Sequence, residues 1–279
     1  MPDLALEVGA TREPGVAVLT WTGEADPDAL VAAVRAAADD ALGSGGYRRL
    51  EVEVVAGDQI GRRAVLRSGF RQEGLRRQVV PTEDGRWDDL LLFARLIDDV
   101  IGGPTGFSAV MSSALPRKRL IAHVLMRDDQ GRVLLCETRF KPDWELPGGI
   151  VEPGEPPRLG AEREVTEELG LDLVVGSLLV ADWMPPYLGW EDALELIFDG
   201  GPVTAEQVDR FVLQPSEIVQ VRLCTLEEAR RLVTPLSHRR LTVATGLVPP
   251  ATAYLEDGRR RAHREDGLRR EPPSAADGP

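Results

Sequence analysis

The sequence is short of several residue types that would indicate particular kinds of protein. Its 279 residues include only two cysteines, Cys136 and Cys224, both in apolar stretches. Cysteines in such surroundings indicate reduced core residues rather than a disulfide framework or a zinc site. No apolar run approaches the roughly 18 residues that a membrane-spanning helix needs. The opening residues, MPDLALEVGA, lack the basic region and apolar core of a signal peptide. We therefore expect a cytoplasmic protein with no membrane partner.

Lysine and histidine are scarce as well. Lys118 and Lys141 are the two lysines, so arginine supplies almost all of the 33 basic residues, against 46 acidic ones. The net charge of −13 argues against general binding to nucleic acid. The histidines at positions 123, 238 and 263 show no metal-ligand spacing, and we expect none of them to be catalytic.

A dense pattern of charged residues and glycines occupies residues 149–171, which read GIVEPGEPPRLGAEREVTEELGL and are called the box below. The segment fits the pattern G-x5-E-x7-R-E-U-x-E-E-x-G-U, in which U is a bulky aliphatic residue, without one substitution. The fixed positions are Gly149, Glu155, Arg163, Glu164, Val165, Glu167, Glu168, Gly170 and Leu171.

Glycine and proline divide this segment into a loop and a helix. Gly148-Gly149 and Pro153-Gly154 interrupt regular structure, which predicts a loop over 150–155. Helix-forming residues follow from about Pro156, and Gly170 is typical of a helix end. Apolar residues recur every four positions within the helix and predict one buried stripe. These residues are Ala161, Val165 and Leu169.

Three carboxylates crowd one side of the predicted helix. Glu164, Glu167 and Glu168 stand at positions i, i+3 and i+4, where like charges repel each other. Such a cluster calls for a cation, and hard oxygen ligands favour Mg²⁺ or Mn²⁺. The sequence therefore predicts a magnesium or manganese site on this helix.

The complete pattern resembles the signature of the Nudix hydrolases, which cleave a nucleoside diphosphate linked to another group. The resemblance implies that Glu164, Glu167 and Glu168 coordinate the metal. It also implies that Glu155 supports the loop or joins the metal shell, and that Arg163 orients the carboxylates. The metal would neutralise charge on the diphosphate and acidify a water molecule for attack.

A general base would complete this chemistry, and it is either a box glutamate or an acid outside the box. Glu217 is the leading candidate outside the box, because many Nudix sequences carry an acidic residue just before the corresponding strand. Asp209 and Glu206 are the alternatives.

Residues 118–257 are expected to form the Nudix domain, a mixed β-sheet sandwiched between helices. The strands are predicted over 120–126, 133–138, 172–183, 193–198 and 218–224, and helices outside the box over 226–233 and 236–246. Predicted substrate-binding residues, spread along this domain, are Arg139 and Lys141 for phosphates, Gly148 and Gly149 in the loop, and Trp183 and Tyr187 for a base.

The sequence is compatible with more than one class of substrate. A proline at Pro186 resembles ADP-ribose hydrolases, Tyr187 resembles dinucleoside polyphosphate hydrolases, and a nucleoside triphosphate fits equally well. The predicted partner is therefore a small nucleotide. The alternative function is a non-hydrolytic nucleotide-metabolite sensor or regulatory binding protein.

Residues 1–98 have the pattern of a separate small α/β domain, as the length of the chain allows. A helix over 26–42, a strand over 50–55, a helix over 58–68 and strands over 74–80 and 90–96 are predicted. The run DQIGRRAVLRSGFRQEGLRR resembles the C-terminal half of a GNAT acetyltransferase. Asp58 and Gly61 replace the usual Asn and Ala or Ser of that family.

The phosphate-binding loop of that family is missing, since TWTGEADPDAL brings three acids to its place. A truncated GNAT-like domain used for packing, homodimerisation or recognition is therefore expected, rather than an acetyltransferase. Residues 99–117, rich in glycine, proline and serine, predict a linker without a packed element. Residues 258–279, with both charge signs and prolines, predict a disordered tail.

Overall fold

The computed structural model describes residues 4–187 and 189–260, and it divides into two compact units between Pro116 and Arg117. Within these residues no helix has the length and apolar character needed to cross a membrane. Most of the predicted tail, residues 261–279, lies outside the described residues. Its first residue does not fit the prediction: Gly258 is buried, and its N–H donates to Asp182 at 3.1 Å.

The N-terminal unit is a five-stranded sheet with helices, in the strand order β1-β2-β3-β5-β4. The strands β2 and β3 run parallel, and the other neighbours are antiparallel. The elements are β1 (Ala5–Ala10), β2 (Val16–Thr22), α1 (Pro27–Leu42), β3 (Arg49–Val55), α2 (Gln59–Arg67), β4 (Arg71–Pro81), β5 (Trp87–Leu96) and α3 (Gly103–Ala114).

Short polar side chains begin the first two helices, as their sequences indicate. Asp26 accepts from the N–H groups of Asp28 and Ala29, and Asp58 accepts from the N–H of Gly61. Such caps satisfy donors that the first helical turn leaves unpaired. The predictions of α1, α2, β3, β4 and β5 are confirmed, whereas β1 and β2 were not predicted.

The segment predicted as an unpacked linker contains a helix, so that prediction is wrong. Pro104 lies in the first turn of α3, where its missing N–H costs nothing. Gly106 permits close packing, because a Cβ there would lie 2.5 Å from the carbonyl oxygen of Val100. Near the end of the helix, Ser113 Oγ accepts a 2.9 Å hydrogen bond from the N–H of Gln72 on β4. The small residues therefore serve packing here rather than flexibility.

The C-terminal unit is built on a seven-stranded mixed sheet. Its order is β11-β7-β6-β10-β9-β12, with β8 pairing to β6; β6 is parallel to β10 and β9 is parallel to β12. The elements are β6 (Arg119–Arg127), β7 (Val133–Thr138), β8 (Gly148–Ile150), α4 (Pro157–Leu169), β9 (Leu178–Met184), β10 (Ala193–Pro202), α5 (Ala205–Val208), β11 (Ile218–Cys224), α6 (Leu226–Ala229), α7 (Pro235–Thr245) and β12 (Ala253–Glu256).

Helices cover both faces of this sheet, as predicted. The stripe of Ala161, Val165 and Leu169 on α4 is fully buried and packs in one apolar cluster with Val124 of β6. On the opposite face, Leu241 of α7 packs in a second cluster with residues of β6 and β10. Each sheet residue therefore faces one helix layer or the other, according to its position in the strand.

Three details of this unit differ from the sequence prediction. The strand predicted over 172–183 begins only at Leu178, because residues before it form a loop that includes Gly176. The helix predicted over 226–233 is a single turn, Leu226–Ala229, with a capping box at Thr225. The short strands β8 and β12 and the short helix α5 were not predicted.

Candidate active site

Two glycines allow the start of the box to pass closely between a strand and a helix. Gly148 has φ +130°, and a Cβ there would lie 2.7 Å from His123 Cα, closer than real Cβ contacts. A Cβ on Gly149 would lie 2.8 Å from the carboxyl carbon of Glu164. Gly148 therefore needs glycine against the backbone of β6, whereas a side chain at Gly149 would press on the carboxylate of Glu164, the end of a flexible side chain.

Arg163 lies at the centre of the carboxylates on α4. Its Nε donates to Glu155 at 2.9 Å, and its Nη1 donates to Glu164 and Glu167, each at 3.0 Å. Its Nη2 donates to the carbonyl oxygen of Ile150 at 3.2 Å. These hydrogen bonds lower the pKa of Glu155 and tie the loop to the helix.

The ionised form is less favoured for Glu164 than for Glu155. Partial burial raises the pKa of Glu164, and repulsion from Glu167 and Glu217 adds to this effect against the opposing influence of Arg163. Glu217 is exposed and precedes β11, and its carbonyl oxygen accepts from the N–H of Arg139 at 2.8 Å. The structure thus places Glu217 near enough to the box to act electrostatically on Glu164.

Glu168 is the buried member of the set, with 4% of its surface exposed. It accepts a 2.9 Å hydrogen bond from the N–H of Gly148. Burial raises the pKa of Glu168 to about 7, although the hydrogen bond from Gly148 and the charge of His123 act in the opposite direction. This carboxyl group therefore changes charge near neutral pH, unlike an ordinary surface glutamate.

A buried chain of charged residues lies on the α7 side of the sheet. His123 Nδ1 is 3.1 Å from Glu195, and Arg240 donates to both Glu195 and Asp182. Burial tends to raise the pKa of Glu195, but Arg240 and His123 outweigh it and hold that pKa well below its usual range. Sequence reasoning missed this chain. The available signal was a polar residue within each apolar strand: LIAHVLM, VADWM and ALELIF.

The two basic residues expected to meet phosphates have partners in the structure. Lys141 forms an ion pair with Glu145, and Arg139 Nε donates to the carbonyl oxygen of Pro215 at 2.5 Å. Each side chain is therefore partly engaged by the protein itself. Glu145 also lies 3.8 Å from His123 Nε2, which connects Lys141 to the buried chain.

The aromatic candidates occupy one end of the sheet. Trp183 lies in β9 rather than in a loop, and its Nε1 donates to Asp192 at 3.0 Å. Tyr187 is exposed and pairs through its backbone with Trp190, whose ring lies 4.4 Å from the guanidinium of Arg119. The residue after Arg119, Leu120, accepts from the N–H of Val151, so the box loop reaches the same end of the sheet.

A divalent cation suits the chemistry of the box, but its ligands are not already assembled. Glutamate oxygens are suitable donors for Mg²⁺ or Mn²⁺. In the described part of the chain, no three His, Cys, Asp or Glu side chains converge in an arrangement ready to hold a metal ion. The reason is visible at Arg163, which bonds to Glu155, Glu164 and Glu167. A cation would have to draw these carboxylates from Arg163.

Comparison with known protein families gives a match within the C-terminal unit. Residues 117–244 match the family model described as NUDIX domain. The C-terminal unit therefore carries a Nudix domain. One solved structure that matches, a MutT protein from Methanosarcina mazei Go1, is 26% identical, covers 43% of this chain and 88% of its own, and has a TM-score of 0.37.

Three curated relatives match shorter stretches. A MutT-like protein of Streptomyces ambofaciens is 43% identical over 58 residues, covering 21% of this chain and 37% of the relative. A putative 8-oxo-dGTP diphosphatase of Bacillus subtilis (strain 168) is 31% identical, covering 31% and 54%. A CTP pyrophosphohydrolase of Escherichia coli (strain K12) is 36% identical, covering 22% and 47%. The chain thus spans between about a third and a half of these relatives.

Proposed function

We propose that this protein is a metal-dependent pyrophosphohydrolase that cleaves a diphosphate linkage in a nucleoside diphosphate derivative. The observation that carries the proposal is the complete box, folded as a loop and a helix with four glutamates around it. Glu155, Glu164 and Glu167 share Arg163, and Glu168 is buried against Gly148. A protein that only bound nucleotides would have no need of such a cluster.

Mg²⁺ or Mn²⁺ is the proposed metal, held by Glu164, Glu167 and Glu168 with Glu155 beside them. When bound, the ion would neutralise charge on the diphosphate and acidify water. Arg163 then has two tasks: it holds the carboxylates in place before the metal arrives, and it keeps Glu155 attached to the loop. The planar guanidinium group, whose donors are fixed relative to one another, suits both tasks.

Proton removal from the attacking water falls to a carboxylate beside the metal. We assign Glu217 as the leading candidate, because it is exposed, acts electrostatically on Glu164, and makes no side-chain hydrogen bond or ion pair within the described residues. A box glutamate such as Glu164 is the alternative.

The remaining candidate residues would bind the substrate. Arg139 and Lys141 would turn from their present partners to the phosphates, and the backbone at Gly148 and Gly149 would line the site. Trp183 and Tyr187 would stack the base, which aromatic rings do without strong preference for sequence or base type.

We infer that a nucleoside triphosphate is the substrate class to test first. Two of the three relatives carry names of enzymes that act on nucleoside triphosphates, 8-oxo-dGTP and CTP. ADP-ribose and dinucleoside polyphosphates remain in the test as competing classes. The place of action is proposed to be the cytoplasm.

We further propose that the N-terminal unit is a GNAT-like half-domain that serves recognition or homodimerisation rather than acetyl transfer. The parallel strands β2 and β3, joined by α1 and followed by α2 and a β4–β5 hairpin, support the likeness. The N-terminus of α1 is already capped by Asp26, with Asp28 in its first turn. This arrangement disfavours an anion such as a coenzyme phosphate.

The activity test is a panel of nucleotides incubated with the full chain and Mg²⁺, Mn²⁺ or EDTA. The panel contains normal and oxidised dNTPs, CTP, ADP-ribose, a diadenosine polyphosphate and a nucleotide sugar, with release of phosphate, pyrophosphate or nucleoside monophosphate as the readout. We expect turnover with metal, none with EDTA, and the highest kcat/KM for a triphosphate. Tight binding of one member without turnover would support the sensor instead.

The N-terminal proposal has its own test. Light scattering coupled to gel filtration gives the mass of the full chain, and calorimetry with acetyl coenzyme A measures binding. We expect no acetyl coenzyme A binding at up to millimolar concentration. Saturable binding would contradict the assignment to recognition or dimerisation.

A further inference from the structure

Much of the buried charge in the described residues lies in one continuous chain of side chains. The buried polar and charged side chains there are Ser68, Arg95, His123, Thr138, Glu168, Asp182, Glu195 and Arg240. Four of them, Asp182, Arg240, Glu195 and His123, are joined by hydrogen bonds through the C-terminal unit. Taking charges out of water is costly, and apolar replacements of buried ion pairs are often no less stable. A role other than stability is therefore the better explanation for them.

The buried chain begins on β9, next to the edge strand β12, and runs inward. Asp182 of β9 accepts from the N–H of Gly258 and from Arg240 of α7. Arg240 also donates to Glu195 of β10, and Glu195 holds His123 of β6 at 3.1 Å. Three neighbouring strands and one helix are thus joined through ionic hydrogen bonds with nearly fixed geometry.

His123 meets the box at Gly148. The two residues are register partners between β6 and β8. A Cβ placed on Gly148 would lie 3.0 Å from His123 Cδ2, so the imidazole ring packs directly beneath that glycine. The N–H of the same glycine donates to Glu168 at 2.9 Å. The ring therefore supports the peptide that holds Glu168.

We propose that His123, fixed by Glu195, Arg240 and Asp182, is a positioning residue for the carboxylate of Glu168. The inference rests on the proposed function, in which Glu168 is a metal ligand. His123 does not touch the metal or the substrate. It holds the Gly148 peptide, and through that peptide the carboxylate, in the place where the ion binds. Outer partners of metal ligands typically change metal affinity by about 10- to 100-fold when they are replaced.

The test measures Mn²⁺ binding to the full chain without substrate, by the loss of the free-ion signal in electron paramagnetic resonance. His123→Leu keeps a side chain of similar bulk but loses the bond to Glu195. We expect its Mn²⁺ affinity to fall by about tenfold or more. His123→Gln keeps a donor for Glu195, and we expect its Mn²⁺ affinity to stay within about threefold of wild type. Its kcat should likewise be closer to wild type than that of His123→Leu.

Leu125→Met is the matched control. Leu125 is buried two positions along the same strand, on the same face as His123, and packs in the apolar cluster rather than in the ionic chain. A volume-conserving change there tests packing alone, and we expect wild-type Mn²⁺ affinity. If His123→Leu does not fold, Glu195→Gln replaces it, with an expected loss of several-fold in affinity.

The outcomes separate this inference from the proposed function. A folded His123→Leu, or Glu195→Gln in its place, with wild-type affinity would overturn the positioning role while leaving the metal site intact. Equal losses in His123→Gln and His123→Leu would overturn it as well, because the bond to Glu195 would then not matter. Wild-type protein that binds no Mn²⁺ would sink the proposed function, and the positioning role with it.

Discussion

The N–H of Gly148 donates a 2.9 Å hydrogen bond to the carboxylate of Glu168, twenty residues later in the chain. This bond joins the short strand β8, at the start of the box, to the helix α4 inside it. Because Gly148 also lies against β6 with φ +130°, the carboxylate is fixed relative to the central sheet. The metal site we propose is therefore anchored in the core, although its other carboxylates lie nearer to solvent.

Alanine substitutions at the two adjacent glycines should have different effects. Gly148→Ala brings a Cβ against the backbone of β6 at a φ that side chains rarely adopt, and we expect a loss of roughly 2 kcal/mol or more in the free energy of unfolding. Gly149→Ala meets only the flexible end of Glu164. We expect its melting temperature to change little and its kcat to fall by about tenfold or more. Denaturant titration and steady-state kinetics on both variants check this contrast, which equal stability losses would contradict.

The stability of the metal-free protein should depend on pH through Glu168. Burial raises the pKa of Glu168 from an ordinary 4.5 to about 7 in the folded state. The contribution of Glu168 to the free energy of unfolding is therefore fully present below about pH 4.5. It is lost as the pH rises through about 7, a decrease on the order of 3 kcal/mol. Unfolding in EDTA at pH 5 and pH 8 should show this decline in wild type and a smaller one in Glu168→Gln.

Other groups contribute to the same pH dependence, so the comparison with Glu168→Gln isolates the contribution of Glu168. Glu164, with a raised pKa, acts in the same direction, and so does His123, whose raised pKa makes its contribution fall as the pH rises. Glu195 has a lowered pKa, and its contribution is lost only at acidic pH. If the free energy of unfolding depended on pH identically in wild type and Glu168→Gln, the raised pKa of Glu168 would be contradicted.

Arg163 should not be replaceable by lysine. Its guanidinium donates to Glu155, Glu164, Glu167 and the carbonyl of Ile150 at once, which a single ammonium group cannot reproduce. We expect Arg163→Lys to lower kcat by about tenfold or more with little change in melting temperature. Arg231→Lys is the control, since the side chain of Arg231 forms an exposed pair with Glu227, away from the box. Unchanged kcat in Arg163→Lys would show that the orientation of the carboxylates does not depend on the guanidinium group.

Tyr187 should affect substrate binding rather than stability. Its side chain is 70% exposed at the end of the sheet that the box loop reaches. If it stacks the base, Tyr187→Ala should raise KM by about fivefold or more and leave kcat and melting temperature nearly unchanged. Val248→Ala, at a similarly exposed apolar residue, serves as the control. A kcat effect without a KM effect would contradict base stacking.

Local sequence predicted the box loop, α4 and most strands because their signals lie within a few residues. Gly148-Gly149, Pro156-Pro157 and Gly170 mark the boundaries that the structure shows. The buried chain could not be predicted in this way, since His123 and Glu195 are 72 positions apart and meet only when β6 and β10 pair. The helix α3 was missed because its small residues also suit a linker, and only its packing partners tell the two apart.

The role of Arg163 was also only partly visible in the sequence. Spacing on one helix placed it beside Glu164 and Glu167, but its two bonds to Glu155 depend on how the loop folds back. Likewise, the partner of Arg139 lies outside any local pattern, because Pro215 is 76 positions away. The sequence therefore predicted the chemical groups of the proposed site, whereas the structure shows which of them already have partners.

The measurement that tests the proposed activity most directly is Mg²⁺-dependent hydrolysis by wild type, Glu168→Gln and the control Glu227→Gln on the preferred triphosphate. Glu227 is an exposed glutamate on α6, outside the box. We predict that Glu168→Gln folds normally and loses turnover by about 100-fold or more, that Glu227→Gln keeps it, and that EDTA abolishes it. Wild-type turnover in a folded Glu168→Gln, or equal turnover in EDTA, would contradict the assignment of this site.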